Sequence, residues 1–375
     1  MKKKVIVLGA GMVGSAMAVD LCRNYEVTIA DINKNQLDFL KKSHPIKAIQ
    51  ADLSDKEILQ KLIRDFDLVV GALPGFMGFK ILKNVIKTGK NIVDISFFDE
   101  DPFQLDTLAK HNNVTAVVDC GVAPGMSNMI LGYHNEKMKI DSFECLVGGL
   151  PFKRTWPYQY KAPFSPIDVL EEYTRPARVV ENGEMITKPA LSEPEYVEFE
   201  PVGTLEAFNT DGLRTLLKTM TITNMKEKTL RYPGHIEIIK ILRETGLLNK
   251  KPLDIYRTKV RPLDLTAKLL FPKWKLDKNE PEFTIMRITI KGKEQGKLKK
   301  YVYNLFDKFD PLTKVSSMAR TTGYTCTAVA DLVLEGDFDR KGISPPEFIG
   351  KDGNSFKKIM EYLKERNINY EMLTD

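Results

Sequence analysis

The chain has 375 residues, 43% of them hydrophobic, with 56 Lys and Arg against 50 Asp and Glu for a formal charge of +6. That length exceeds one ordinary core and predicts two domains; the cationic excess is spread thinly beyond a balanced N-terminal third, which argues against a nucleic-acid surface. Cys22, Cys120, Cys145 and Cys326 lie far apart without a CxxC pair, so neither a metal site nor a disulfide framework is expected and the setting reads as reducing and cytoplasmic. The first apolar run ends by Ala10, too short for a signal peptide or a membrane span.

Residues 4–8 (KVIVL) are a continuous apolar run that stops at Gly9, as expected for a strand buried on both faces of a parallel sheet. From Val13 to Arg23 small and apolar residues recur at helical spacing, and Glu26 to Ala30 reads as a second strand. The alternation continues with helices near 34–42, 55–64, 77–88 and 103–111 and strands at 46–50, 67–72, 91–95 and 114–119. Such alternation implies a doubly wound parallel sheet covered on both sides. After Gly125 the texture turns rich in proline and aromatics, and residues 283–291 and 300–306 flank a glycine-containing turn like an antiparallel hairpin. The basic cluster Lys297 to Lys300 reads as a solvated turn beside a strand. Helical periodicity returns at 317–334 and 355–366.

Between the first strand and the first helix stands Gly9-Ala10-Gly11-Met12-Val13-Gly14, a GxGxxG string. In that place Gly9 makes the tight turn, Gly11 lets a pyrophosphate approach the backbone around Met12 and Val13, and Gly14 brings helix and strand together. Asp31 ends the second strand 22 residues after Gly9, where a carboxylate accepts hydrogen bonds from an adenosine ribose diol; with Ile32 and Asn33 following and no arginine, NAD is expected over NADP. A plain glycine turn with a surface aspartate is the alternative without a ligand, and an S-adenosylmethionine-binding fold, which shares the glycine-rich first loop and the acid after the second strand, is a different competitor. Asp52 and Leu53 after the third strand, Ala72, Leu73 and Pro74 after the fourth, and Asp94 and Ser96 after the fifth are further candidates, because ligands bind outside the carboxyl ends of such strands. These observations predict a Rossmann NAD-binding domain over 1–125. An α+β domain with an antiparallel sheet for substrate binding and oligomerisation follows over 126–312, and helices over 313–375 pack back on the first domain.

The run Asp119-Cys120-Gly121-Val122-Ala123-Pro124-Gly125-Met126-Ser127-Asn128 resembles the saccharopine dehydrogenase superfamily, in which a Gly-x-x-Pro-Gly segment leaves the Rossmann domain. Segments 165–177, 210–216, 229–235 and 317–324 are similar to its L-lysine 6-dehydrogenase branch. That resemblance implies NAD-dependent oxidative deamination of the lysine ε-amine to 2-aminoadipate 6-semialdehyde, which cyclises, with release of ammonia. It also implies a homodimer or higher homo-oligomer. Sister branches act on the secondary amines saccharopine or carboxynorspermidine, and an NAD-binding regulator without chemistry is the reading from another class.

Amine oxidation needs a free nitrogen lone pair, a base, and a cation for the distant carboxylate. Asp119, at the end of the sixth strand, is expected to contact the substrate amine, or alternatively to cap the following loop. Arg231 and His235 flank a Tyr-Pro-Gly turn; Arg231 is expected to bind carboxylate, and His235 either transfers protons or, as a lone histidine more often does, serves as a packing or surface residue. Thr210 and Asp211 fit either a substrate contact with catalytic Asp211 or an N-cap for a helix starting at Leu213. Tyr160 and Lys161, in an aromatic stretch, fit either a pocket wall for an aliphatic cation or core packing.

Overall fold

Six strands, β1 (Lys4–Leu8), β2 (Glu26–Asp31), β3 (Lys47–Gln50), β4 (Leu68–Gly71), β5 (Ile92–Asp94) and β6 (Thr115–Val117), carry the apolar runs of the first third of the chain. In the computed structural model, which describes residues 2–277 and 279–374, they lie side by side in the order β3-β2-β1-β4-β5-β6, every pair parallel. Val5 to Leu8 and Leu68 to Val70 are wholly buried because amphipathic helices cover both faces of the sheet. Strand order reverses between β1 and β4, the place where an open α/β sheet leaves a crevice at its carboxyl edge.

The last part of the chain adds helices Ser317–Glu335, Pro346–Lys351 and Gly353–Glu365. It also adds the strand Gly342–Ser344, which lies parallel to β6 and extends the sheet to seven strands. Periodicity did not reveal this three-residue strand; it is held by Asp106, whose carboxylate accepts from the Ile343 N–H at 2.9 Å. The helix α1 (Met12–Leu21) buries Asp20, which accepts from Thr327 Oγ1 and Tyr362 Oη at 2.7 Å and from Arg366 Nε at 2.8 Å. A buried carboxylate satisfied this fully pins the C-terminal helices to α1.

A second sheet has nine strands and is mixed: Lys139–Pro151 runs parallel to Asn224–Arg231, whereas Gly203–Asn209 runs antiparallel to it. The expected hairpin is longer than its apolar core, Glu282–Glu294 and Lys297–Lys308, joined through Gln295 and Gly296 at φ of 50° and 79°, the backbone of a two-residue primed turn. Against one face packs a core containing Tyr160, Tyr173, Phe208, Leu230, Trp274 and Phe283. By compactness the chain divides into a first unit of Met1–Lys139, Lys293–Lys297 and Met318–Asn369, and a second of Ile140–Gly292, Leu298–Ser317 and Tyr370–Asp375. Among the described residues no helix is long and apolar enough to cross a membrane.

Candidate functional site

The glycine turn of the first unit is fixed by three different constraints. Gly9 has φ of +106°, and a Cβ there would stand 2.4 Å from the Ala72 carbonyl oxygen; one on Gly14 would stand 2.1 Å from the Gly9 carbonyl oxygen. Both positions are closed by the protein itself. A Cβ on Gly11 would meet nothing within 4 Å, so at that point the backbone faces open space. The helix α1 begins there without a side-chain cap, and the Ser15 N–H is the first to bond back, to Gly11 O at 2.9 Å. The preceding N–H groups and the helix dipole therefore face the open side, an arrangement that fits a pyrophosphate. Met12 and Ile32 stand exposed at its border, with Val13 half-buried between turn and helix.

Asp31 is held by the backbone: its Oδ2 accepts from the Ala10 N–H at 2.6 Å and its Oδ1 from the Asn33 N–H at 2.7 Å. Among the described residues no cation pairs with it. Asp52 is exposed in a turn closed by Ser54, whose hydrogen bonds hold the carboxyl below its ordinary range, while Leu53 is buried beneath. Ala72 donates its N–H to Leu8 O at 2.9 Å, and Leu73 and Pro74 lead into the helix Gly75–Ile86. The ends of β5 and β6 carry Asp94 and Asp119, both buried. Ser96 Oγ donates to Asp94 Oδ1 at 2.9 Å, and Gly71 makes room for that carboxylate, since a Cβ there would lie 2.0 Å from Asp94 Oδ1. Asp119 sits at φ of 53°, and the next residue, Cys120, donates its N–H to Asp94 O at 3.0 Å, so the two carboxylate-bearing strand ends are tied together.

The second unit brings Arg231, His235 and Tyr160 together, in a way the sequence did not foretell. Arg231 is the last residue of the strand Asn224–Arg231, and His235 is the first of the helix His235–Glu244, set off by Gly234 at φ of +90°. The Arg231 side chain, 2% exposed, donates from Nη2 to Glu172 Oε2 at 2.8 Å, from Nη1 to Leu230 O at 2.9 Å and from Nε to Tyr173 Oη at 2.9 Å. A guanidinium only donates, so the Tyr173 oxygen accepts and its own proton goes to His235 Nε2, 2.9 Å away. His235 must then carry its proton on Nδ1, which donates to Tyr158 O at 2.6 Å. Burial, reinforced by the Arg231 charge, holds the imidazole down at about 3.

These bonds correct several expectations. His235 is neutral with both nitrogens engaged, so it is not poised to exchange a proton near neutrality; Arg231 is enclosed by its own partners, so it does not stand ready for a carboxylate. The Tyr160 ring lies under the guanidinium, 4.4 Å from its centre, and packs on Trp274, so it belongs to the core. Lys161 pairs with Glu280 at 2.6 Å and Asp277 at 3.2 Å. Asp211 takes the Arg178 guanidinium in a two-pronged ion pair, with both bonds at 2.8 Å, and accepts the Arg178 N–H. The helix expected at Leu213 starts at Leu216 behind Thr215, so Asp211 is not its cap, and Thr210 Oγ1 lies 3.1 Å from Thr229 Oγ1. Glu172 and Tyr173 were missed as partners of Arg231, because they lie 59 and 58 residues away in sequence and no spacing announces them; Arg178, one of several arginines eligible for a second carboxylate, is engaged by Asp211 33 residues away.

Two family models fit the chain in succession: the Saccharopine dehydrogenase NADP binding domain over residues 5–117 and the Saccharopine dehydrogenase C-terminal domain over residues 121–368. The chain belongs to the saccharopine dehydrogenase family. In keeping with that family, its first unit is an NAD(P)-binding domain. It is 27% identical over 279 residues to the mitochondrial alpha-aminoadipic semialdehyde synthase of Rattus norvegicus, an alignment covering 70% of this chain and 30% of that protein. Over 275 residues it is 26% identical to the NADP(+), L-glutamate-forming saccharopine dehydrogenase of Saccharomyces cerevisiae, covering 68% of this chain and 61% of that one. The match thus spans less than two thirds of either relative. The solved apo saccharopine dehydrogenase (L-Glu forming) from Saccharomyces cerevisiae shares the fold across the full length of both chains, with a TM-score of 0.81 and 21% identity. The homospermidine synthase of Legionella pneumophila, solved in complex with NAD, does so with a TM-score of 0.68 and 12% identity, over 100% of this chain and 92% of that one.

Proposed function

We propose that this family member is an NAD-dependent oxidoreductase that cleaves the secondary amine of saccharopine or a closely similar adduct of two amino acids. The observation that carries the cofactor reading is Asp31. Its carboxylate is fixed by two backbone N–H groups at the end of β2 and makes no ion pair among the described residues, which leaves it able to accept from a ribose diol and to repel a 2′-phosphate. The alignment with saccharopine-handling relatives supports a carbon–nitrogen bond as the target. The cofactor, when bound, supplies the hydride acceptor. The overall change takes saccharopine, NAD and water to glutamate, 2-aminoadipate 6-semialdehyde, NADH and a proton.

In this reading the first unit does the chemistry. Asp119, buried at the strand edge, contacts the substrate amine and takes the proton that frees the nitrogen lone pair. Asp94, held by Ser96, lies at the adjoining strand end. The Arg231, Tyr173 and His235 chain is a rigid support within the second unit rather than a reacting group. Replacement of Asp119 by Asn is expected to lower kcat about a hundredfold or more while leaving NADH affinity unchanged. The lysine ε-amine is the second reading, favoured by the segments at 165–177 and 229–235 that resemble lysine 6-dehydrogenases. Mass spectrometry of products separates the two: equal amounts of glutamate and semialdehyde from saccharopine support the first, whereas ammonia released from L-lysine supports the second. The four free thiols fit a cytoplasmic setting, and the outer strand Tyr370–Thr374, with Met372 and Leu373 exposed, offers an edge for self-association.

A further inference from the structure

The second unit holds a cavity of about 410 Å³ that the proposed reaction does not use. It opens where the strand Asn224–Arg231 changes partner: Gly203–Asn209 pairs with its far half, ending at Asn209 opposite Lys228, and Ala177–Glu181 touches it at Met225. The volume lies in the range of small-ligand sites. Glu144, Glu193, Asn209, Lys226, Thr289 and Lys291 are among its lining residues.

Asn209 is fully buried. Its Nδ2 donates to Glu193 Oε2 at 2.9 Å and to Ser192 Oγ at 3.1 Å. Because a carboxylate only accepts, Glu193 fixes which way the amide faces. The other end, Asn209 Oδ1, receives no hydrogen bond, and a buried carbonyl left so is unfavourable. Glu193 is kept ionised by hydrogen bonds from Lys188 and Asn209. Lys226 is neutralised by Glu144 at 2.8 Å, but Lys291 has no ion-pair partner among the described residues. The cavity therefore presents a buried acceptor without a donor next to an ionised carboxylate, together with an exposed ammonium that has no ion-pair partner among the described residues.

We propose that this cavity is a second binding site for a free α-amino acid, whose ammonium donates to Asn209 Oδ1 and Glu193 and whose carboxylate pairs with Lys291. A zwitterion supplies a donor to Asn209 Oδ1 and a carboxylate to Lys291 at once and leaves the charge of the site unchanged. Glu144 and Lys226 close one wall as a neutral pair, and the side chain of the ligand occupies the remaining volume.

Calorimetric titration of the intact chain with L-glutamate and with L-lysine tests this, using wild type, Lys291→Ala and Asn209→Leu. At least one of the two amino acids should bind wild type and bind Lys291→Ala about tenfold or more weakly, about 1.4 kcal/mol. Lys291 is exposed, so that variant should keep the wild-type unfolding midpoint. Asn209→Leu should weaken binding at least as much if its midpoint shows it folded. Two outcomes overturn the proposal: no binding of either amino acid to wild type at millimolar concentration, or equal binding to wild type and Lys291→Ala. Both can be read without any turnover.

Discussion

The two units reach their precision by opposite means. In the first, geometry is written in the backbone: three glycines within six residues, one needed for its φ and close approach, one for packing and one for empty space, and an aspartate held by peptide N–H groups. In the second, a hydrogen-bonded cluster is assembled from side chains of distant segments, in which the bonds among Arg231, Tyr173 and His235 set where the protons of Tyr173 and His235 lie. A site made of backbone tolerates change in most side chains and almost none at its glycines, whereas a side-chain network fails when any member is removed.

The largest effect is expected at the centre of that network. Arg231→Met leaves Glu172 without its partner and removes the donor that orients Tyr173, at a cost of about 3–5 kcal/mol in denaturant unfolding. Unchanged stability with an altered substrate KM would instead return Arg231 to substrate binding. In the first unit, Gly14→Ala should cost about 3 kcal/mol because its Cβ would overlap the Gly9 carbonyl. Gly11→Ala should leave the melting temperature nearly unchanged and weaken NADH binding about tenfold, measured by fluorescence titration. If both alanine variants lost stability equally, the open space over Gly11 would be refuted.

Acid separates the units less sharply, since each buries a neutral histidine. His235 is held at about 3 and, in the first unit, burial holds His134 at about 4, against an ordinary value of 6.5. Below 6.5 the unfolded chain takes up protons that the folded chain refuses, so stability is unaffected above that pH and falls as the pH drops toward the folded values. Between pH 7 and pH 5 the loss should be about 2 kcal/mol for each histidine. A flat urea midpoint over that interval would show that neither imidazole is buried neutral.

What the sequence made legible follows from the same contrast. The strand–turn–helix at Gly9 to Gly14, Asp31 at the end of β2 and the parallel alternation up to residue 119 depend on local pattern, and the structure shows them at those residues. The roles expected of Arg231, His235, Asp211 and Lys161 depended on which distant groups meet them: Glu172 and Tyr173, Tyr158, Arg178, and Asp277 with Glu280. Residue type and spacing carry no trace of such partners. The parallel strand pair in the second sheet, too, joins residues 142–147 to 224–229 across a stretch in which no local period marks their register.

NAD-linked oxidation of a saccharopine-type amine is read from the initial rate of absorbance increase at the NADH wavelength with saccharopine as substrate, NAD and NADP being supplied in turn. Turnover is expected with NAD, and a kcat/KM at least about tenfold lower with NADP because Asp31 opposes the extra phosphate. Turnover with NADP in preference to NAD, or silence on saccharopine with either cofactor, would contradict it.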